Sequence, residues 1–219
     1  MTQTENGPRD PAFIRVANAI TDDILGGRLL SGTSLIEAEL ISVYDVSRNT
    51  LREALQLLRQ QGLVSQEPNK SVRVKRLSVA EVRDIFIVRR VVELSALRGR
   101  TGMPEGWLAR LGRVIRGEGE AIGQSDEPGI PRRSLRFHQE IVALHGSPIF
   151  DRMFSLLVTQ LRLGFVTGKN EQAFHEPWLT REALMYRLIE KGAWDEAADE
   201  LESYLDDSEA VLTRLVHDR

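Results

Sequence analysis

Val46-Ser47-Arg48-Asn49-Thr50-Leu51-Arg52-Glu53-Ala54-Leu55-Gln56-Leu57-Leu58-Arg59-Gln60-Gln61-Gly62 carries two stripes on one helix. Leu51, Ala54, Leu55 and Leu58 recur at the spacing of a buried helical face. Arg48, Arg52 and Gln56, each four residues apart, run down the other side, with Asn49 and Arg59 beside them. Ser47 is a good N-cap, and Gly62 stops the helix after about Gln61. The period then changes. Leu63–Gln66 and Val72–Lys75 read as two short strands, joined by the turn Pro68-Asn69-Lys70-Ser71. Upstream, Phe13, Val16, Ala17, Ile20, Ile24 and Leu25 space a helix that Gly26-Gly27 ends. Leu29–Ser34 reads as a turn, and a short helix is predicted at about Glu37–Tyr44. This order is a helix-turn-helix followed by a hairpin wing.

A helix with one buried stripe and an Arg/Asn/Gln stripe opposite suits the major groove. Arg can bond guanine with two hydrogen bonds, and Asn or Gln can do the same for adenine. Ser47 and Thr50 stand at the helix start, where hydroxyls and free N–H groups meet phosphate. A plain solvated face accounts for such a stripe equally well. The basic hairpin tips the balance, because Lys70 at its tip can reach the flanking minor groove or a phosphate. The chain carries a formal charge of -3. Between Ser47 and Arg76, however, seven basic residues face only Glu53 and Glu67. Local attraction to phosphate on an otherwise acidic protein is what site-specific DNA binding requires.

Beyond Ser78 no further strand is evident. Ser78-x-x-Glu81 is a capping box opening a helix to about Arg100. Amphipathic helices are predicted at about Pro104–Ile122, Pro131–Leu144, Pro148–Thr167, His175–Glu190 and Trp194–Leu215. The predicted fold class is mainly α. It divides into a leader over 1–11, expected to be disordered, a winged head over 12–77, and an all-helical antiparallel bundle over 78–219. An apolar content of 42% supports a real core, and the absence of cysteine excludes disulfides and thiolate metal sites. Neither a secretory signal nor a membrane span is visible, so a cytoplasmic protein with no membrane partner is expected.

The motifs resemble those of a known family. Arg15–Ile20 through Ile24-Leu-Gly-Gly, Glu37–Leu40, Val46-Ser-Arg, Leu51–Leu55 and Gly62–Val64 resemble the DNA-binding domain of the GntR family. Phe137–Ile141, Gly146–Pro148 and Ile189–Gly192 through Ala197-Ala198 resemble its FadR-like subgroup with an FCD-type C-terminal domain. The resemblance implies a homodimer, a palindromic operator in double-stranded DNA, and a small-molecule effector held in the helical bundle. Two turns depart from the family habit: Ser71 replaces a wing glycine, and Ser31-Gly32 replaces Pro-Gly.

Many FCD domains hold a divalent metal with an Asp and three His. The resemblance places those positions at Ser134, His138, Glu182 and Tyr204. Ser and Tyr are poor ligands for zinc, manganese or nickel, so no bound metal and no cofactor are expected. The same four residues are instead expected to form a polar effector pocket. His138 alone also reads as an ordinary core histidine. Arg89 lies on a largely apolar helix and needs a partner. Two readings stand: an ion pair with Glu93, or a clamp on an acid group of the effector. Arg162 is a weaker candidate of the same kind. Trp107, Trp178 and Trp194 read as packing residues, with Trp178 and Phe174 able to line the pocket. His145, His175 and His217 lack a partner at ligand spacing, and His175 is expected near a loop.

The expectation is therefore a sequence-specific regulator, a repressor, tuned by an organic acid or similar metabolite. Its DNA-reading residues are Ser47, Arg48, Asn49, Thr50, Arg52, Gln56 and Lys70. No catalytic residue is expected, as no phosphate loop or nucleophile elbow is present. Two alternatives stand beside this. One is a helical interaction or ligand-binding protein without DNA binding. The other is a hydrolase using Ser134, His138 and Glu182.

Overall fold

The apolar spacing along the first predicted helix becomes α1 (Ala12–Leu25), which buries Val16, Ala17, Ile20 and Ile24. It packs on α3 (Arg48–Gln60), which buries Leu51, Ala54, Leu55 and Leu58 in return. Between them lies α2 (Glu37–Tyr44). Asp45, at φ 49°, makes the turn into α3, a left-handed conformation that Asp tolerates better than most residues. The Tyr44 hydroxyl donates to Asp23 Oδ2 at 2.5 Å, pinning α2 to α1. The computed structural model describes residues 10–66, 71–100, 102–118, 130–165 and 171–218. It falls into two units, up to Lys75 and from Arg76 onward. The residues up to Arg9 and the wing tip Glu67–Lys70, with its expected turn, lie outside the described residues.

The wing pairs β1 (Val64–Ser65) antiparallel with β2 (Arg73–Val74), Val64 opposite Val74 and both buried. A third segment joins it. Gly32 N–H donates to Val74 O at 2.8 Å, Val74 N–H to Thr33 O at 2.9 Å, and Leu35 N–H to Val72 O at 2.8 Å. The segment read as a plain turn thus lies against β2, bridging Ser34 to Arg73. No alternation announces it, because the free edge of β2 recruits it. Gly32 sits at φ 87°, where glycine is at home. Both unusual serines are bonded: Ser31 Oγ donates to Lys75 O at 2.8 Å, and Ser71 Oγ meets Ser34 Oγ at 3.3 Å.

The second unit opens with the capping box, realised in both directions between Ser78 and Glu81. It comprises α4 (Val79–Arg98), α5 (Trp107–Ile115), α6 (Ile130–Ala143), α7 (Pro148–Phe165), α8 (Glu171–Glu190) and α9 (Trp194–His217). The helix expected over Pro104–Ile122 is shorter, since Gly106 and Gly117 at φ 67° and 74° bracket it. Conversely, α8 begins before His175 and runs through Pro177, at the cost of one backbone bond. The expected loop at His175 is therefore helix.

Helix α4 lies along α9. Arg90 bridges to Asp206 and Glu209 at 2.6 and 2.7 Å, and Arg98 to Asp199 and Glu202 at 3.0 and 2.8 Å. Helix α6 touches α4, α5, α7 and α8, so its inner face is surrounded. Val92, Val142, Phe154 and Val158 form a core where α4, α6 and α7 meet. Trp107 stacks on Trp194 and donates its indole N–H to Glu140 O at 2.6 Å, as the packing reading of both required. Among the described residues no helix is long and apolar enough to cross a membrane.

Candidate functional site

Two sites emerge, one in each unit. On α3 the Ser47 side chain caps the helix by accepting from Thr50 N–H at 3.1 Å, with Thr50 Oγ1 at 2.9 Å from Ser47 Oγ. This cap sets where the helix begins, and the heptad-like spacing then sets what it shows. Arg48, Asn49, Arg52 and Gln56 are exposed, Ser47 is exposed at the tip, and Thr50 is half-buried. The packed face is opposite. Lys70 lies outside the described residues.

Arg52 is steadied by a residue that the sequence reading did not single out: its Nε donates to Glu37 Oε1 at 3.3 Å. Glu37, Arg52, Leu55, Gln56 and Arg59 line a groove that runs to Val64, Gln66 and Val72 of the wing. The sequence signal for Glu37 was present only as an acidic residue in the first turn of a short helix. The two positions are 15 residues apart, so no periodicity connects them.

The other site is a buried polar cluster at the centre of the second unit. Arg89 and Glu93, one turn apart on α4, are 1% and 0% exposed, and Nε donates to Glu93 Oε1 at 2.7 Å. Glu93 Oε2 meets His138 Nδ1 of α6 at 2.6 Å. Burial opposes the charge on Glu93, but Arg89 and then His138 outweigh it and hold its pKa below the usual carboxylate range. Burial pushes His138 below the usual imidazole range, with Glu93 opposing. The neutral ring donates a hydrogen bond from Nδ1–H to Glu93, which leaves Nε2 as an acceptor. The ion-pair reading of Arg89 thus holds, and Arg89 also lines the cavity.

Glu182 of α8 is wholly buried. Its Oε1 accepts from Ser134 Oγ of α6 and from Tyr204 OH of α9, the latter at 3.2 Å. Burial raises its pKa to about 7, with Ser134, Tyr204, Arg133 and Arg89 opposing the rise. Tyr204 is also buried and held neutral, burial pushing its pKa well above the usual phenol range. The five sequence-predicted pocket residues therefore come together. Arg89, Ser134, His138 and Tyr204 line the cavity, joined by Arg162, Phe165, Trp178 and Ser208. The cavity measures about 20 Å³, room for roughly one water. Among the described residues, Arg89 Nη2, His138 Nε2 and Glu182 Oε2 are buried with no hydrogen-bond partner. Such atoms cost about 1–3 kcal/mol each when left so.

His145 finds Val92 O at 3.0 Å and Ser95 Oγ at 3.3 Å, a structural role. The side chains of Phe174 and His175 lie outside the described residues. Sequence reasoning named Glu93 only as a partner for Arg89. That it also holds His138 could not be seen, because 45 residues separate them.

The geometry decides two questions of chemistry. Ser134 donates to Glu182 and not to His138, and His138 is engaged by Glu93. The group beside the serine is the Glu182 carboxylate, and the histidine is bonded to Glu93, so the serine–histidine–carboxylate order of a triad is not made. A metal is also a poor fit. His138 has one nitrogen left and Glu182 one oxygen, with two neutral hydroxyls beside them. Among the described residues no group of three or more His, Asp or Glu is arranged to hold an ion.

A winged helix-turn-helix head with an exposed basic helix face, followed by a helical unit with a buried polar pocket, is the architecture of a DNA-binding transcription regulator. Comparison with known proteins agrees. The family "Bacterial regulatory proteins, gntR family" matches residues 14–74, and "FCD domain" matches residues 84–207. The chain belongs to the GntR family and carries an FCD domain. A solved GntR regulator from Rhodococcus sp. RHA1 superposes with a TM-score of 0.81 at 31% identity, over 91% of this chain and 96% of that one. The regulator BphR of Paraburkholderia xenovorans is 28% identical over 77% of this chain and 74% of its own length. The gluconate operon repressor of Bacillus licheniformis is 30% identical over 59% of this chain and 53% of that protein.

Proposed function

We propose that this regulator is a repressor that binds palindromic operator DNA as a homodimer and releases or tightens it when a small organic acid enters the helical pocket. The observation that carries the DNA reading is the exposed Arg48/Arg52/Gln56 stripe on a Ser47-capped helix whose other face is buried. One such head reads only a few base pairs, so useful affinity calls for two heads on two half-sites. A repressor is favoured by relatives named as repressors, from Bacillus licheniformis and from Escherichia coli.

The pocket supports an effector through its unmatched atoms. Arg89 Nη2 offers a hydrogen, and His138 Nε2 accepts one. An acid group facing Arg89 meets that pattern, and a neighbouring hydroxyl facing His138 completes it. The cavity is too small for any such molecule, so entry must move the helices that close it. That displacement is what lets a ligand favour one arrangement over another. The test is capture of genomic fragments by the full-length protein, followed by gel-shift titration across salt. Specific fragments with inverted half-sites support the reading. Binding that is absent, or equal for all fragments, refutes it.

A further inference from the structure

Resting on the effector reading above, we infer that the pocket takes a monocarboxylate together with one proton, which settles on Glu182. The bound state is then a carboxylic acid donating to the carboxylate of the ligand. The argument begins with charge. The guanidinium of Arg89 is already matched by Glu93 at 2.7 Å. A carboxylate arriving beside Arg89, Ser134 and Tyr204 also arrives beside Glu182, which hydrogen-bonds to two of those three. Two carboxylates sharing a buried site each disfavour the charge of the other, which strengthens the hold of one of them on a proton.

The bonding pattern says which of them takes the proton. Oε1 of Glu182 is occupied by two hydroxyl donors, while Oε2 is buried with no hydrogen-bond partner among the described residues. A hydrogen on Oε2 leaves the Oε1 bonds intact and supplies the donor that the ligand lacks. Glu93 cannot play this part, because both its oxygens are engaged by Arg89 and His138. His138 cannot either, since a proton on Nε2 would place a second cation beside Arg89.

The groups facing Glu182 are the hydroxyl of Ser134 and the charge of Arg133 on α6, Arg89 on α4, and the neutral Tyr204 on α9. Helix α5 packs on α8 further along, where Gly112 meets Tyr186. On its own helix, Arg181 is drawn away to Glu200 and Asp207. Glu182 titrates at about 7 before any ligand enters. The proton therefore comes from solvent near neutral pH, and an incoming anion raises its hold further.

The experiment uses the full-length protein and calorimetric titration with acetate, glycolate and benzoate, each ionised throughout the range tested. Titrations in phosphate and in Tris, whose ionisation heats differ, count the protons taken up. Uptake should approach one per ligand at about pH 8 and fall toward none at about pH 6, and affinity should drop about tenfold per pH unit above 7. Glu182→Gln keeps an acceptor for Ser134 and Tyr204 but cannot titrate. It should bind with no proton uptake and no pH dependence. A probe that binds wild type without proton uptake at either pH overturns the inference and leaves the effector reading standing. Failure of all three probes to bind at millimolar concentration at either pH overturns both. Should Glu182→Gln not fold, the two-buffer comparison on wild type still decides.

Discussion

Replacing Glu93 by Ala would leave the guanidinium of Arg89 without its counter-charge at a position 1% exposed. Two bonds vanish together, Arg89 Nε to Oε1 at 2.7 Å and His138 Nδ1 to Oε2 at 2.6 Å. Removing one partner of a buried ion pair costs about 3–5 kcal/mol, because the survivor keeps its desolvation penalty. The unsatisfied His138 N–H adds about 1–3 kcal/mol. The two share one network and are not additive, so a loss of about 3–6 kcal/mol is expected. That is a large part of the roughly 5–15 kcal/mol holding a typical domain. Arg98→Ala is the control. It removes two ion pairs to Asp199 and Glu202, but its side chain is 44% exposed, and solvent screening leaves such pairs little effect on stability. Urea unfolding followed by far-ultraviolet circular dichroism measures both. A Glu93→Ala loss within about 1 kcal/mol of the control would refute the reasoning. The double variant Arg89→Met with Glu93→Leu removes both charges. It should be more stable than Glu93→Ala alone, because no buried ion is left unpaired.

Arg52→Ala should weaken operator binding by about 1–3 kcal/mol per half-site with unchanged circular dichroism; an unaltered gel-shift midpoint would remove Arg52 from the reading face. Glu182 titrates at about 7 in the fold against an ordinary 4.5, so its stabilising share is full below about pH 4.5 and is lost as pH rises through 7. The unfolding free energy of wild type from urea titration should therefore fall relative to Glu182→Gln by about 3 kcal/mol between about pH 4.5 and pH 8, and parallel pH profiles would contradict this. Elemental analysis of protein purified without a metal-affinity tag should find far less than one equivalent of zinc, nickel or manganese. Near one equivalent, lost in His138→Ala, would show that the pocket binds metal after all.

The head was legible because its signals are local. Ser47 caps, Gly62 stops, and the spacing of Leu51, Ala54, Leu55 and Leu58 turns Arg48, Arg52 and Gln56 outward without reference to the rest of the chain. The capping box at Ser78 was legible for the same reason. The strand-like pairing of Gly32–Leu35 was not, since its partner β2 lies about 40 residues away and its own side chains show no alternation. The length of α5 was misjudged because Gly106 and Gly117 act through positive φ, which composition does not announce.

For the pocket the division is sharper. The family resemblance singled out Ser134, His138, Glu182 and Tyr204, and their residue types then pointed to a polar cluster and a poor set of metal ligands, because coordination depends on which donor atoms exist. Which atom serves which neighbour was decided only by the packing of α4, α6, α8 and α9. That packing brings Glu93 to His138 across 45 residues and Ser134 to Glu182 across 48. It also buries all of them, and burial is what raises the pKa of Glu182 to about 7. Periodicity fixes which face of a helix is buried, but hydrogen-bond choice and acidity depend on the neighbours that burial supplies.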